Sequence, residues 1–182
     1  MNQKPNPLFT PKFGTKAGGT TASQALQPSV KQIQAPPYLT KGAVLYHATT
    51  KKHADNIVAK GIDPETKGNV NALGRGFYTV HDLSKVWQWM HPDETMLASL
   101  KDHEKRMDYM SEHHSVIKIE IVSVPTKIWN GSNDEAEVIV REGDIVWTKN
   151  GIKHVKVIGQ IHGKEMISNG EFQEWYKDSF VE

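Results

Sequence analysis

The chain has 182 residues, 37% of them hydrophobic and 24% charged, with a formal net charge of +1; this suffices for the core of one domain of about 100–200 residues and excludes a wholly disordered chain. It contains no cysteine, which excludes disulfides, thiolate nucleophiles and cysteine-bearing zinc or iron–sulfur sites. No apolar run reaches the roughly 18 residues of a membrane span, and the N-terminus lacks the apolar stretch of a secretory signal, so the sequence reads as soluble.

Residues 1–40 carry Lys4, Lys12, Lys16 and Lys31 and no acidic residue. With that +4 set aside the rest of the chain is at −3, the reverse of the charge placement expected of a folded nucleic-acid grip. Six prolines (Pro5, Pro7, Pro11, Pro28, Pro36, Pro37) and Gly14, Gly18 and Gly19 break any apolar period, so 1–40 reads as a flexible basic tail or linker and 41–182 as the domain. Val30, Ile33 and Tyr38 leave open a strand that docks on the domain.

Val44, Leu45 and Tyr46 form a β-prone run that opens at His47-Ala48-Thr49-Thr50 into a helix of about three turns, with Thr50 as its cap and Gly61 at its end. A long polar loop, 63–74, leads to a second strand at Gly76–Val80. Asp82 caps a helix through Leu83, Val86, Trp87 and Met90; a second helical pattern runs from Leu97 to about Ser111. Period-two alternation then places strands at Val116–Val122, Ala136–Val140, Ile145–Thr148 and Val155–Ile161, before a terminal helix with Phe172, Trp175 and Tyr176. This order predicts an α+β fold.

Gly74-Arg75-Gly76 is no dinucleotide fingerprint, since Thr79 replaces the third glycine and a strand follows. Arg75 could approach a pyrophosphate, though a solvated loop arginine is the simpler reading. The nine histidines form no His-Glu-x-x-His pair, and no metal is expected. His47 at a strand end, Tyr78 inside the second strand and Glu137 opening a later one, in Glu135-Ala136-Glu137-Val138, remain. Singly each is an ordinary structural residue: a strand-end histidine, a core tyrosine, a solvated acid.

Their order resembles a family. Tyr46-His47-Ala48-Thr49, Lys60-Gly61-Ile62, Gly76-Phe77-Tyr78-Thr79 and the glutamate before a strand are similar to the diphtheria toxin and exotoxin A-like His-Tyr-Glu class of ADP-ribosyltransferases, well over residues 43–90 and beyond them only at the glutamate. The resemblance implies a split β-sheet core with flanking helices and NAD as substrate without a metal. His47 would bond the adenosine-side ribose, Ala48 (usually glycine) would offer its backbone to the nicotinamide amide, and Thr49, Gly61 and Ile62 would line the adenosine end. The second tyrosine of the nicotinamide sandwich is replaced eleven positions after Tyr78 by Trp89, with Trp87 as the competing core residue; an indole face attracts a pyridinium at least as well. Glu137 would be the catalytic carboxylate. Glu135 resembles the acceptor-positioning glutamate of arginine-specific enzymes, although their strand-one arginine and Ser-Thr-Ser element are absent.

Breaking the nicotinamide–ribose bond builds positive charge on the sugar, so one fixed carboxylate lowers the barrier. At about 4 Å and an effective dielectric near 20 it contributes roughly 4 kcal/mol, or roughly 10³ in rate. The expected activity is transfer of ADP-ribose to a macromolecule, protein foremost with nucleic acid open, by a bacterial toxin or effector that is secreted or injected, acts in the target-cell cytoplasm and is met by a cognate immunity protein. NAD glycohydrolase activity, a catalytically inert binding module of the same fold and an RNA phosphotransferase of related fold are the alternatives.

Overall fold

In a computed structural model of the chain, which describes residues 29–65, 73–90 and 93–180, the first strand and the first helix meet at Thr50. Strand β1 (Val44–Thr50) passes straight into helix α1 (Lys51–Lys60) because the Thr50 hydroxyl accepts from the His53 amide at 3.3 Å, satisfying one of the donors a helix start leaves bare. Strand β2 (Phe77–Thr79) follows; Asp82 caps α2 (Leu83–Val86), which runs on into a 3-10 turn at Trp87–Trp89. The single helix expected from Leu97 to Ser111 is two, α3 (Glu94–Ser99) and α4 (His103–His113). Leu100 is extended and the Asp102 carboxylate starts a new cap on the Glu104 amide, so a short polar side chain wins over continuation of the apolar period.

Strands β3 (His114–Ile121), β4 (Ile128–Trp129), β5 (Val138–Arg141) and β6 (Asp144–Trp147) come next, then a 3-10 turn at Ile152–His154, strand β7 (Val155–Ile161) and helices α5 (Gly163–Ser168) and α6 (Gly170–Phe180). Two sheets result, ordered β1-β3-β7 and β2-β6-β5-β4, antiparallel except for β4 beside β5. The α+β class is as expected. One bridge joins the sheets edge to edge: Tyr46 and Val80 exchange both backbone hydrogen bonds, at 2.8 and 3.0 Å.

Alternation along the strands sends Leu45, Phe77, Ile117, Ile119, Val138, Val140, Ile145 and Trp147 into the main core. The other face of β1 and β3 carries Ala48 and Val116 beneath Trp87, Met110, Met166, Phe172 and Tyr176. The other face of β2, β6 and β5 carries Tyr78, Val146 and Ile139 with Leu73 and Ala136.

Residues 29–40 form no strand but touch the folded body through one isolated bridge and several hydrogen bonds. Gln32 bridges Trp129, the Ile33 amide donates to Ile128 O at 2.8 Å, the Lys31 amide donates to Asn130 Oδ1 at 2.7 Å, and Leu39 is 1% exposed. Tyr38 stacks on His81 with ring centroids 4.2 Å apart. The part of the expected tail before residue 29 lies outside the described residues. Among the described residues no helix is long and apolar enough to cross a membrane.

Candidate active site

The bridge between the sheets is the start of a ladder that does not continue. Tyr46 turns its N–H and C=O toward β2, so by strand alternation Ala48, two residues on, turns its own the same way; its partner would be Tyr78, in the next hydrogen-bonding position. The Tyr78 carbonyl is taken instead by the His47 imidazole, which donates from Nδ1 at 2.6 Å. A side chain has replaced a backbone pairing, and among the described residues no backbone hydrogen bond joins the buried Ala48 to Tyr78. Ala48 keeps a negative φ, so its Cβ costs no backbone strain.

His47 is held by more than that bond. Its ring leans on Phe77, centroids 4.2 Å apart, and burial pushes its pKa down to about 4, against the raising effect of the bond to Tyr78. At neutral pH the ring is uncharged, Nδ1 carries the proton, and Nε2 is an acceptor. Gly76 lets β2 run flush against β6: a Cβ there would stand 2.5 Å from Val146 Cγ1 and 2.8 Å from Trp147 O.

The Tyr78 hydroxyl donates to Gly74 O at 2.7 Å, and its pKa is pushed up to about 12, first by burial and then by the charge of Asp144. Trp89 faces it, ring centroids 6.4 Å apart at 47°. That is the spacing of a direct tilted aromatic pair; a flat ring between the two would need about 7 Å between parallel faces, so Trp89 has to turn to admit one. Trp87 is wholly buried and edge-on to Phe172, a core residue. Thr49 is half-buried in β1, Ile62 packs on the cluster that contains Phe77, and Gly61 is an exposed helix cap whose N–H donates to Ile57 O. Arg75 pairs with Glu65 at 3.3 Å on the surface.

Glu137 is not brought to this group. It precedes β5, and its row passes through Thr148, one row beyond Phe77–Trp147–Val138. At ordinary sheet spacings its backbone is about 12 Å from that of Tyr78. Its carboxylate turns to the end of the sheet: Oε1 accepts from the Thr126 amide at 3.2 Å, the Thr126 hydroxyl at 3.1 Å and the Lys127 amide at 3.1 Å. Oε2 accepts from His154 Nε2 and lies 3.6 Å from Lys153 Nζ. Burial alone would raise this carboxyl, but the bonds from His154, Lys127 and Thr126 outweigh it and hold it down at about 2. The His154 ring continues to Ser123, Nδ1 to Oγ 2.7 Å. Ser123–His154–Glu137 has the membership of a hydrolytic triad with the two ring nitrogens exchanged, and it ties the 123–127 loop, β5 and the turn before β7 together. Gly151 serves the same tether, since a Cβ there would overlap the Glu137 carbonyl. Glu135 is exposed in a turn, its amide donating to Asn133 Oδ1 at 2.9 Å.

The residues that sequence reasoning missed are Asp144, Ser123 and His154. Asp144 opens β6, and burial, followed by the charge of Glu142, pushes its pKa up to about 6. Glu142-Gly143 between two apolar runs is a hairpin signal that could have flagged it. Among the described residues no group of three His, Asp or Glu side chains could hold a metal ion.

Comparison with protein-family profiles, with curated proteins and with solved structures finds no match in any of the three.

Proposed function

We propose that the protein is an NAD-dependent ADP-ribosyltransferase of toxin or effector type, built on the split-sheet core of the His-Tyr-Glu class. The observation that carries this reading is the β1 edge at Ala48, which among the described residues makes no backbone bond to β2, beside the Tyr78–Trp89 pair. A strand edge offers one N–H and one C=O side by side, the complement of a primary carboxamide, which has one acceptor and an NH₂ donor. A nicotinamide bonded edge-on to Ala48 has its ring against Tyr78, and Trp89, turned from its 47° tilt, covers the other face; the pyridinium charge gains about 0.5–2 kcal/mol from each aromatic surface. The neutral His47 ring has Nε2 free of the Tyr78 bond and able to accept from a ribose hydroxyl.

The reaction breaks the bond between ribose C1′ and nicotinamide N1, and the bonding pair leaves with the nicotinamide, now neutral. The acceptor supplies an electron pair to C1′ and loses one proton to solvent, so NAD and acceptor become ADP-ribosyl acceptor, nicotinamide and a proton. The full-length protein is incubated with NAD labelled in the adenylate half, with and without cell lysate. Label on a macromolecule, protein or nucleic acid, is the expected result; label on free ADP-ribose alone assigns the glycohydrolase activity. No nicotinamide release in either arm rejects the enzymatic reading.

A further inference from the structure

The transfer reaction needs an anion beside the reacting sugar, and the register of the sheet singles out a candidate. Asp144 pairs with Arg141, and carrying the β2–β6 register one position past Thr79–Ile145 sets it beside Val80, the partner of Tyr46; Tyr78 lies two positions away in the row Tyr78–Val146–Ile139. Val80 and Tyr78 are two residues apart, as are Asp144 and Val146, so all four point to one face of the sheet. Asp144 is the diagonal cross-strand neighbour of Tyr78, a placement of about 7–8 Å, and its charge is felt at the Tyr78 hydroxyl. Glu137 is two strands away and two rows in the opposite direction.

On the transferase reading, which this inference rests on, we infer that Asp144 is the carboxylate that stabilises the ribose cation and that Glu137 tethers the scaffold. Three observations converge on it. Asp144 is half-buried, and among the described residues no hydrogen bond or ion pair holds it, not even from Arg141, its register partner across the hairpin. The hairpin that carries it is strained: Glu142 has φ 52° and Gly143 φ 90°, a two-residue turn that normally takes Asn or Gly first. A half-buried carboxylate without a partner is a cost to folding, and proteins retain such costs where a ligand later supplies the missing partner. Its pKa near 6 leaves it mostly ionised at neutral pH, and an arriving pyridinium favours the anion further.

The test compares wild type, Asp144→Asn and Glu137→Gln as full-length chains. Three quantities are read: NAD affinity by calorimetry, nicotinamide release, and the thermal midpoint. Asp144→Asn is expected to bind NAD within about threefold of wild type, to release nicotinamide about 10³-fold more slowly, and to melt higher because a stranded charge is gone. That pairing of lost turnover with gained stability is one a structural role does not produce. Glu137→Gln is expected to melt lower and to lose less than tenfold in turnover per folded molecule. Undiminished release by Asp144→Asn, with a folded but inactive Glu137→Gln, overturns the assignment and leaves the transferase reading standing. Failure of wild type to bind NAD or release nicotinamide overturns both. Asp144→Ala repeats the comparison should the asparagine variant not fold, and release at wild-type rate by it also overturns the assignment.

Discussion

The imidazole of His47 holds the carbonyl of Tyr78 at 2.6 Å, and in doing so it ends the ladder between β1 and β2 after a single bridge. His47→Ala therefore removes two things at once: the wedge that keeps the Ala48 edge open, and the partner of a carbonyl. The expected loss is about 1–3 kcal/mol of stability together with about a tenfold weaker affinity for NAD. Urea denaturation and calorimetric titration measure the two separately. Unchanged affinity in a folded variant would remove His47 from the binding site.

Trp89 and Trp87 should respond oppositely to truncation, although they are two residues apart. Trp89→Ala loses the ring that faces Tyr78 and, on the transferase reading, is expected to weaken NAD binding by about 0.5–2 kcal/mol with little change in melting. Trp87→Ala opens a cavity against Phe172 and is expected to cost about 3–5 kcal/mol. Parallel thermal melts and titrations distinguish them; equal effects on melting would mean that Trp89 is core as well.

Acid should act in two stages. His47 is held neutral, its pKa lowered from 6.5 to about 4, so its contribution is complete above about 6.5 and drains away as the pH falls to about 4. Glu137 is lowered from 4.5 to about 2. Its contribution, about 3 kcal/mol at neutral pH, is complete above about 4.5 and is lost toward about 2. Asp144 runs the other way: raised from 3.8 to about 6, it favours the folded state below about 3.8 and loses that contribution as the pH rises through about 6. Urea midpoints recorded between pH 2 and 8 are expected to lose the lower stage in Glu137→Gln alone. Ser123→Ala, which cuts only the far end of the tether, is expected to cost about 1 kcal/mol and to leave nicotinamide release unchanged.

Truncation tests the role of the segment before β1. Removal of 1–28 is expected to leave melting and activity as they are. Removal of 1–39 also deletes Leu39, the bridge at Gln32 and the bonds to Ile128 and Asn130, and is expected to cost at least the roughly 2–5 kcal/mol of one buried leucine. Identical melts for the two truncations would show that 29–39 contributes nothing.

What was legible in the sequence was local. The Thr50 cap, the Gly61 stop, the Asp82 cap and the alternation of β3 from Ile117 to Ile121 depend on neighbours within a few residues, and all are present. Trp89 opposite Tyr78 was legible through the spacing carried by the resemblance. Partnership between strands was not, because alternation fixes which face a residue takes and says nothing about which strand lies beside it. The hairpin Glu142-Gly143 folds β6 back between β5 and β2; that one placement puts an extra strand between Glu137 and Tyr78 and brings Asp144 next to Tyr78. Strand β4, two residues long and parallel, offers no period to read. The break at Leu100 was hidden because the apolar spacing runs through it.

The junction at Tyr46 and Val80 has a dynamic consequence. Among the described residues these are the two amides exchanged between the sheet edges, beside the His47–Tyr78 bond, and breathing of one sheet against the other opens them. In deuterium exchange they serve as a pair of sentinels, surrendering their protons together at a rate set by that opening and independent of the strands behind them. A dinucleotide laid across the seam would staple it, and the slowing of both amides in concert would report occupancy without any chemistry being followed.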